Sequence, residues 1–392
     1  MVYRLNPRTF FSDSSQKRSS SESLVFAFAP LEPITANPIL REMMARNGAQ
    51  LVTRPKILPH HLLKAKKWQR WEKIKGIKTL TTPDGKPIYD GIQLIARPGD
   101  PIKPAISYIN GAVSQLGVSF IDLNFCCPGH KVRPQRRGGE LLKYPKDILR
   151  VIEEVLKYSD LPVSLKLRSG YNIKDTPTEL CRQIFKQFGT NIAWITMNRA
   201  PVKMGDTHTE QILRDFSAFH QTLEATSYKI PIIANGGFST RADQELLLEH
   251  APVAGIMIGR GALGYPSLFK HMSTTIQPED LRIEILSRVD PLTSRIQADL
   301  ASMFQLIPKY VKGSTGRWCS MGELKRLLFY YIKSYYSSQN LGLPPGFGFS
   351  RWHKTHFTPL EFRQTLSTFF PFIPASTMKQ WLAFLPSNTT IE

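Results

Sequence analysis

The sequence predicts an α/β chain, with a (β/α)8 or TIM barrel over residues 24–274 followed by a smaller all-helical region over 275–392. Three observations carry that prediction. From residue 24 short β-rich runs alternate with longer helical patterns, as in a parallel sheet with helical crossovers. The runs number eight within about 250 residues, the span of a closed barrel, where an open doubly wound sheet usually stops at about five or six. After about residue 275 strand patterns vanish and helical ones continue to the end.

Taken in order, the strands are Leu24–Pro30, Leu51–Arg54, Gly91–Ala96, Phe120–Cys126, Val163–Arg168, Ile192–Asn198, Ile230–Asn235 and Ala254–Gly259. Amphipathic stretches separate most of them: Pro38–Asn47, Pro101–Leu116, Pro145–Tyr158, Pro177–Phe188, Thr209–Ala225 and Thr240–His250. Several begin with proline, whose missing N–H costs nothing in the first turn of a helix. In the last third Leu281–Asp299, Gly322–Ser337 and Pro359–Ser367 read as helices, with a Gly/Pro-rich loop from Leu341 to Phe349 between the last two.

Composition narrows the partners. The 392 residues carry 51 Lys plus Arg against 31 Asp plus Glu, a formal charge of +20 that points to a polyanion, nucleic acid before a membrane surface. No apolar run approaches the roughly 18 to 20 residues needed to cross a bilayer, so no membrane partner is expected. The cysteines are Cys126, Cys127, Cys181 and Cys319, and an adjacent pair does not readily bridge, which fits a reducing, cytoplasmic setting. Residues 1–23 hold seven serines and no apolar segment, and read as a disordered tail or, by composition alone, an organellar transit peptide.

In a barrel the active site forms at the carboxyl ends of the strands. The seventh and eighth strands end in Asn235-Gly236-Gly237 and Gly259-Arg260-Gly261. Glycine lets the backbone approach a phosphate closely and Arg260 adds charge, although either motif alone serves equally well as a tight turn. Lys166, within apolar Leu165-Lys166-Leu167, is expected to point into the mouth, where a buried cation requires an electron-rich partner. A flavin ring is one candidate and an ion pair with Glu32 is the other. The fourth strand ends Asn124-Phe125-Cys126-Cys127-Pro128, which presents the Cys127 thiol at a strand terminus as an acid or nucleophile. Cys181 and Cys319 read as inert core residues. No metal is expected.

At these residues the sequence resembles the tRNA-dihydrouridine synthases. The motifs that carry the resemblance are Ala29-Pro30-Leu31-Glu32, Gln93-Leu94, Asp122 to Pro128, Gly138-Gly139-Glu140-Leu141-Leu142, Pro162 to Arg168, Ile233 to Gly237 and Met257 to Leu263. The resemblance implies that NADPH reduces bound FMN, that flavin N5 passes hydride to C6 of a uracil, and that Cys127 protonates C5 from the opposite face. It places Pro30, Leu31, Glu32, Gln93, Lys166, Asn198, Asn235, Gly236, Gly237, Gly259 and Arg260 against the cofactor, and Asn124 on the uracil edge. Arg168, Arg199, Lys131, Arg133, Lys325 and Arg326 are then expected to hold the RNA. The chain departs from the family twice: Cys126 stands where glycine is usual, and Asn198-Arg199-Ala200 replaces His-Gly-Arg, so Asn198 can hydrogen-bond but carries no charge.

An RNA substrate agrees with the charge pattern. Between Thr53 and Leu80 nine cations face a single Glu72, with Trp68 and Trp71 interleaved, and the Lys131–Arg137 loop adds four more. A charge run is more often a solvated face, yet both stretches follow strand ends and are expected to rim the mouth. In the tail Leu324, Leu327, Leu328 and Tyr331 have core spacing, leaving Lys325, Arg326 and Lys333 for phosphates. The Thr82–Pro87 loop and the tail resemble the bacterial branch acting on uridine 16 of the D-loop. No obligate protein partner is expected. Two rival functions remain at this level: a flavin barrel acting on a free pyrimidine, like the dihydroorotate dehydrogenases, and a tRNA-binding homologue with impaired catalysis.

Overall fold

Eight parallel strands close on themselves in chain order, β1 pairing with both β2 and β8. They are β1 Val25–Phe28, β2 Leu51–Thr53, β3 Tyr89–Leu94, β4 Phe120–Asn124, β5 Val163–Arg168, β6 Ile192–Asn198, β7 Ile232–Asn235 and β8 Gly255–Ile258. The computed structural model describes residues 5–11, 24–32, 34–64, 76–77, 81–82, 85–205, 209–273, 291–311 and 328–332, with short stretches between 364 and 378. The barrel is the one expected from the alternation. Several strands end a residue or two early because Ala29, Ile95 and Phe125 already belong to the loops at the mouth.

Outer-facing strand residues and inner-facing helix residues form one shell of apolar packing. Pro145–Tyr158 shows why: Ile148, Val151, Ile152 and Val155 fall on one face at helical spacing and all are buried. The stretch expected as one helix over Thr209–Ala225 is two, Glu210–Leu213 and Ser217–Ala225. Just before the second, the Asp215 carboxylate accepts the Ser217 backbone N–H at 2.9 Å.

Inside the barrel the residues change character from floor to mouth. The floor is aromatic, with Tyr89, Phe120 and Trp194 among its buried residues. Gly91 makes room there, since a Cβ at that position would lie 2.1 Å from the Phe120 ring. Above it the positions two residues further along these strands and β5 are polar: Gln93, Asp122, Asn124, Lys166 and Arg168, all buried. Apolar packing therefore closes one end of the barrel and leaves buried polar chemistry at the other.

Of residues 1–23, expected as a disordered tail, the described stretch is 5–11, and it packs against the barrel. Pro7–Phe10 forms a helical turn capped by Asn6, and Leu5 and Phe11 are buried in the floor cluster. The Phe10 ring meets Tyr89 edge-on at 5.1 Å and Phe11 lies 5.7 Å from Trp194. Serine content hid this because three apolar residues in a polar segment show no period.

The described residues of the last third share the barrel's apolar shell. Helix Pro291–Val311 packs on Pro38–Arg46, and Ile296, Leu300, Met303, Leu328, Tyr331 and Ile332 join the same core. The expected boundary at 274/275 and most of Gly322–Ser337 lie outside the described residues. No helix among the described residues is long and apolar enough to cross a membrane.

Candidate active site

A cavity of about 590 Å3 opens at the carboxyl ends of the strands. Its lining includes every residue assigned to the cofactor by the sequence: Pro30, Leu31, Glu32, Gln93, Lys166, Asn198, Asn235, Gly236, Gly237, Gly259 and Arg260. Asn124, Cys126, Cys127 and Arg168 line it too. The first six strands supply side chains, whereas β7 and β8 supply mainly glycine backbone and Arg260.

Lys166 projects inward from β5 because its neighbours Leu165 and Leu167 are buried in the outer shell. It is 6% exposed, and its ammonium donates to Asn235 Oδ1 at 2.6 Å. Asn235 is fixed in turn by donating to the Met257 carbonyl, and its Oδ1 also accepts from Asn198. An ammonium has three donors and a neutral amide takes one here, so the charge is directed at the cavity. The ion pair between Lys166 and Glu32 does not form. Glu32 pairs instead with Lys56.

The loop carrying Cys127 is held from three sides. Asn124 Oδ1 accepts the backbone N–H of Cys126 at 3.0 Å and of Cys127 at 2.9 Å. Arg168 Nε donates to the Cys126 carbonyl at 2.8 Å, and the Gly139 N–H to the Cys127 carbonyl at 3.0 Å. A Cβ at Gly138 would lie 3.0 Å from that same carbonyl, and Gly138 has φ +60, so the Gly138-Gly139 motif lets the two loops approach. Behind the loop a buried chain fixes Asn124: its amide donates to Gln93, Gln93 donates to Asp122 at 2.7 Å, and Ser164 donates to the other Asp122 oxygen at 2.7 Å. Burial, opposed by Gln93, Ser164 and Lys166, pushes the Asp122 carboxyl up to about 6.

Burial also pushes the Cys127 thiol above its ordinary value, despite the nearby Lys56 ammonium and the Gly129 N–H. The group is thus a protonated thiol at neutral pH, able to give a proton when negative charge develops beside it. Cys181 lies on the buried face of helix Thr178–Phe188, its thiol pushed up to about 12 by burial, as suits a core residue.

Two arginines expected on the substrate have other work. Arg168 spends its guanidinium on the carbonyls of Cys126, Ala200, Pro201 and Gly205, although it still borders the cavity. Arg199 does not line the cavity. Its guanidinium lies 4.2 Å from the Phe238 ring centroid and 5.1 Å from that of Phe216, and donates to the Gly236 and Leu213 carbonyls. Burial, opposed by Asp243 and Asp215, lowers it to about 10.

A second cavity of about 720 Å3 adjoins the first and shares Glu32, Lys56 and Cys127 with it. Lys131 borders it, exposed at the rim. Arg133 is engaged with Glu140 at 3.3 Å and with the Tyr171 hydroxyl at 2.6 Å. Lys325 and Arg326 lie outside the described residues, as does most of the basic run from Thr53 to Leu80. Of that run Arg54 is buried against Asp90 at 3.0 Å rather than displayed.

Lys56, read from the sequence only as one cation of a basic run, and Tyr330, given no role, also line the first cavity. The second strand ends Thr53-Arg54-Pro55, with no cofactor-like motif to direct attention to the next residue. Tyr330 sits in a run whose spacing reads as packing.

The chain matches the family model described as dihydrouridine synthase (Dus) over residues 28–313. It is 32% identical over 246 residues to a probable tRNA-dihydrouridine synthase of Rhodobacter capsulatus, covering 61% of this chain and 67% of that one. It is 30% identical over 172 residues to tRNA-dihydrouridine synthase B of Pasteurella multocida, covering 43% and 49%. An uncharacterised tRNA-dihydrouridine synthase-like protein of Caenorhabditis elegans is 35% identical over 153 residues, covering 38% and 50%. The matched region thus spans two thirds of the first relative and about half of the other two.

Proposed function

Because this chain belongs to the dihydrouridine synthase family, we propose that it reduces uridine to 5,6-dihydrouridine in tRNA, with FMN in the barrel mouth and NADPH as reductant. The observation that carries the reading is one cavity lined by both a protonated thiol, Cys127, and a buried cation, Lys166. FMN suits the residues present. The Lys166 ammonium is buried against a neutral amide, which leaves it in need of an electron-rich partner such as the N1 edge of a flavin. Gly236 and Gly237 have consecutive positive φ of 111 and 77, and with Gly259 and Arg260 they offer backbone and charge to a phosphate. Bound there, the flavin supplies the hydride for C6 of the uracil.

The chain's own residues do the rest. Cys127 gives its proton to C5, quenching the enolate-like charge that hydride addition leaves. Asn124, Arg168 and Gly139 hold the cysteine loop. Gln93 takes one of the two Asn124 amide hydrogens, leaving the other for the uracil edge. The target base has to leave its stack to enter the mouth, with Lys131 and the tail cations Lys325 and Arg326 on the phosphates. We read residues 24–274 as the catalytic domain and 275–392 as the tRNA-binding one, working in the cytoplasm. The loop resemblance makes uridine 16 of the D-loop the first position to examine.

Nucleoside mass spectrometry tests this directly. The protein loaded with FMN is incubated with NADPH and unmodified tRNA, and the digested tRNA is scored for a gain of two hydrogens on uridine. Flavin reoxidation by orotate but not by tRNA would favour the free-pyrimidine reading. A protein that binds tRNA but retains no FMN would favour a non-catalytic one.

A further inference from the structure

Lys56 lies outside the motifs that carry the family resemblance, yet its surroundings are built. The next residue, Ile57, is tied to the end of β3: its N–H donates to the Gln93 carbonyl at 2.8 Å, and its carbonyl accepts the Ile95 N–H at 3.0 Å. The Lys56 side chain runs from beside that fixed point to the partition between the two cavities, which it shares with Glu32 and Cys127. There the ammonium is salt-bridged to the Glu32 carboxylate and lies near enough to the Cys127 thiol for the two to influence each other electrostatically, and it is only 18% exposed. The charged and titratable groups facing Cys127 are Lys56, Glu32 and Cys126, with His61, His130 and Lys131 further out in the second cavity.

We propose that Lys56 is a further catalytic residue: held in place by Glu32, its ammonium forms the ion pair that stabilises the thiolate left on Cys127 after proton donation. The inference rests on the reading of Cys127 as proton donor to C5. In that step the Cys127 S–H bond breaks and a C5–H bond forms. The S–H electron pair stays on sulfur as thiolate, and a proton from water later restores the thiol, so no oxidant or reductant is consumed. The surroundings of Lys56 suit the role: burial acts to lower its pKa, but Cys127 and Glu32 outweigh burial and raise it, which keeps the ammonium charged throughout. Glu32 acts as a counter-charge. Without it the ammonium would be free to swing away from sulfur between turnovers.

The test uses the FMN-loaded wild type, Lys56→Met and Lys56→Arg, with retained flavin absorbance showing that each is folded. Alkylation of Cys127 by iodoacetamide is followed against pH by peptide mass spectrometry, which separates it from Cys126. Loss of the ammonium is expected to slow Cys127 alkylation at pH 8 roughly tenfold, one unit of thiol pKa. Arginine is expected to keep the rate within about threefold of wild type, and single-turnover reduction of tRNA is expected to fall only in the methionine variant. An alkylation profile in Lys56→Met that superimposes on wild type overturns the proposal. A wild-type protein that forms no dihydrouridine instead removes the uridine reading, and the alkylation profile still decides whether Lys56 holds the thiolate.

Discussion

At the scale of single residues, adjacent thiols at the end of β4 illustrate how position rather than chemistry assigns a task. Cys126 is 5% exposed and its carbonyl is clamped by Arg168, whereas Cys127 stands at the partition of two cavities beside a cation. Cys127→Ala is therefore expected to leave flavin binding within about twofold while slowing reduction of tRNA by about 10²–10⁴-fold, the range of a lost general acid. Cys126→Gly restores the family's usual residue, and its rate is expected to stay within about threefold of wild type. Stopped-flow flavin reoxidation reads both, and the reverse pattern would assign the proton to Cys126. Asn198 belongs to the same scale: it donates to Asn235 at 3.1 Å and accepts the Ala200 N–H at 2.9 Å, so the amide serves the Lys166 network.

At the scale of elements, the helix Pro291–Val311 carries a buried acid where it meets the barrel. Asp299 is 6% exposed and its Oδ2 has no hydrogen-bond partner among the described residues; burial, opposed by Arg295, pushes it up to about 7 from 3.8. Arg295 itself lies 3.8 Å from the centroid of the Tyr265 ring, and so ties the helix to the segment after β8. A carboxyl whose folded pKa is raised favours the folded state fully only below the unfolded value near 4. That contribution is lost as pH rises through the window from about 4 to 7 and stays lost above it. Asp299→Asn removes the ionisation, so its melting temperature relative to wild type is expected to be higher at pH 8 than at pH 4.5. A difference independent of pH would show that Asp299 does not titrate in this window.

At the scale of the whole molecule the +20 charge includes cations buried in the fold and cations exposed at the mouth. Arg41, Arg54, Arg168 and Arg199 are buried and satisfied by carbonyls, by Asp90 or by aromatic faces. Lys131 and Arg260 are exposed beside the cavities. Binding of tRNA is expected to weaken by roughly a hundredfold or more between 50 and 200 mM salt, because counterions released into more concentrated salt gain less entropy. Retention of FMN, resting on the buried Lys166 and on backbone, is expected to change by less than about threefold. Filter binding for tRNA and flavin fluorescence for FMN separate the two, and an equal salt response would mean that tRNA and cofactor share their cations.

The sequence by itself determined the barrel, because strand and helix periods are local properties and eight repeats of them leave little choice of closure. It also determined most of the cavity lining, since the residues at strand ends are carried to one mouth by any such barrel. Three matters were decided only by tertiary structure. Arg199 reads as a mouth residue but turns behind it, because three phenylalanines far along the chain, Phe216, Phe219 and Phe238, offer its guanidinium a cage. Leu5 and Phe11 become the barrel's floor only because Tyr89 and Trp194 leave an aromatic surface there to be covered. Lys56 meets Cys127 at the mouth because β2 and β4, far apart in the sequence, both flank β3. Each depends on pairs of residues distant in sequence, and a one-dimensional pattern records which residues can meet a barrel mouth but not which of them meet each other.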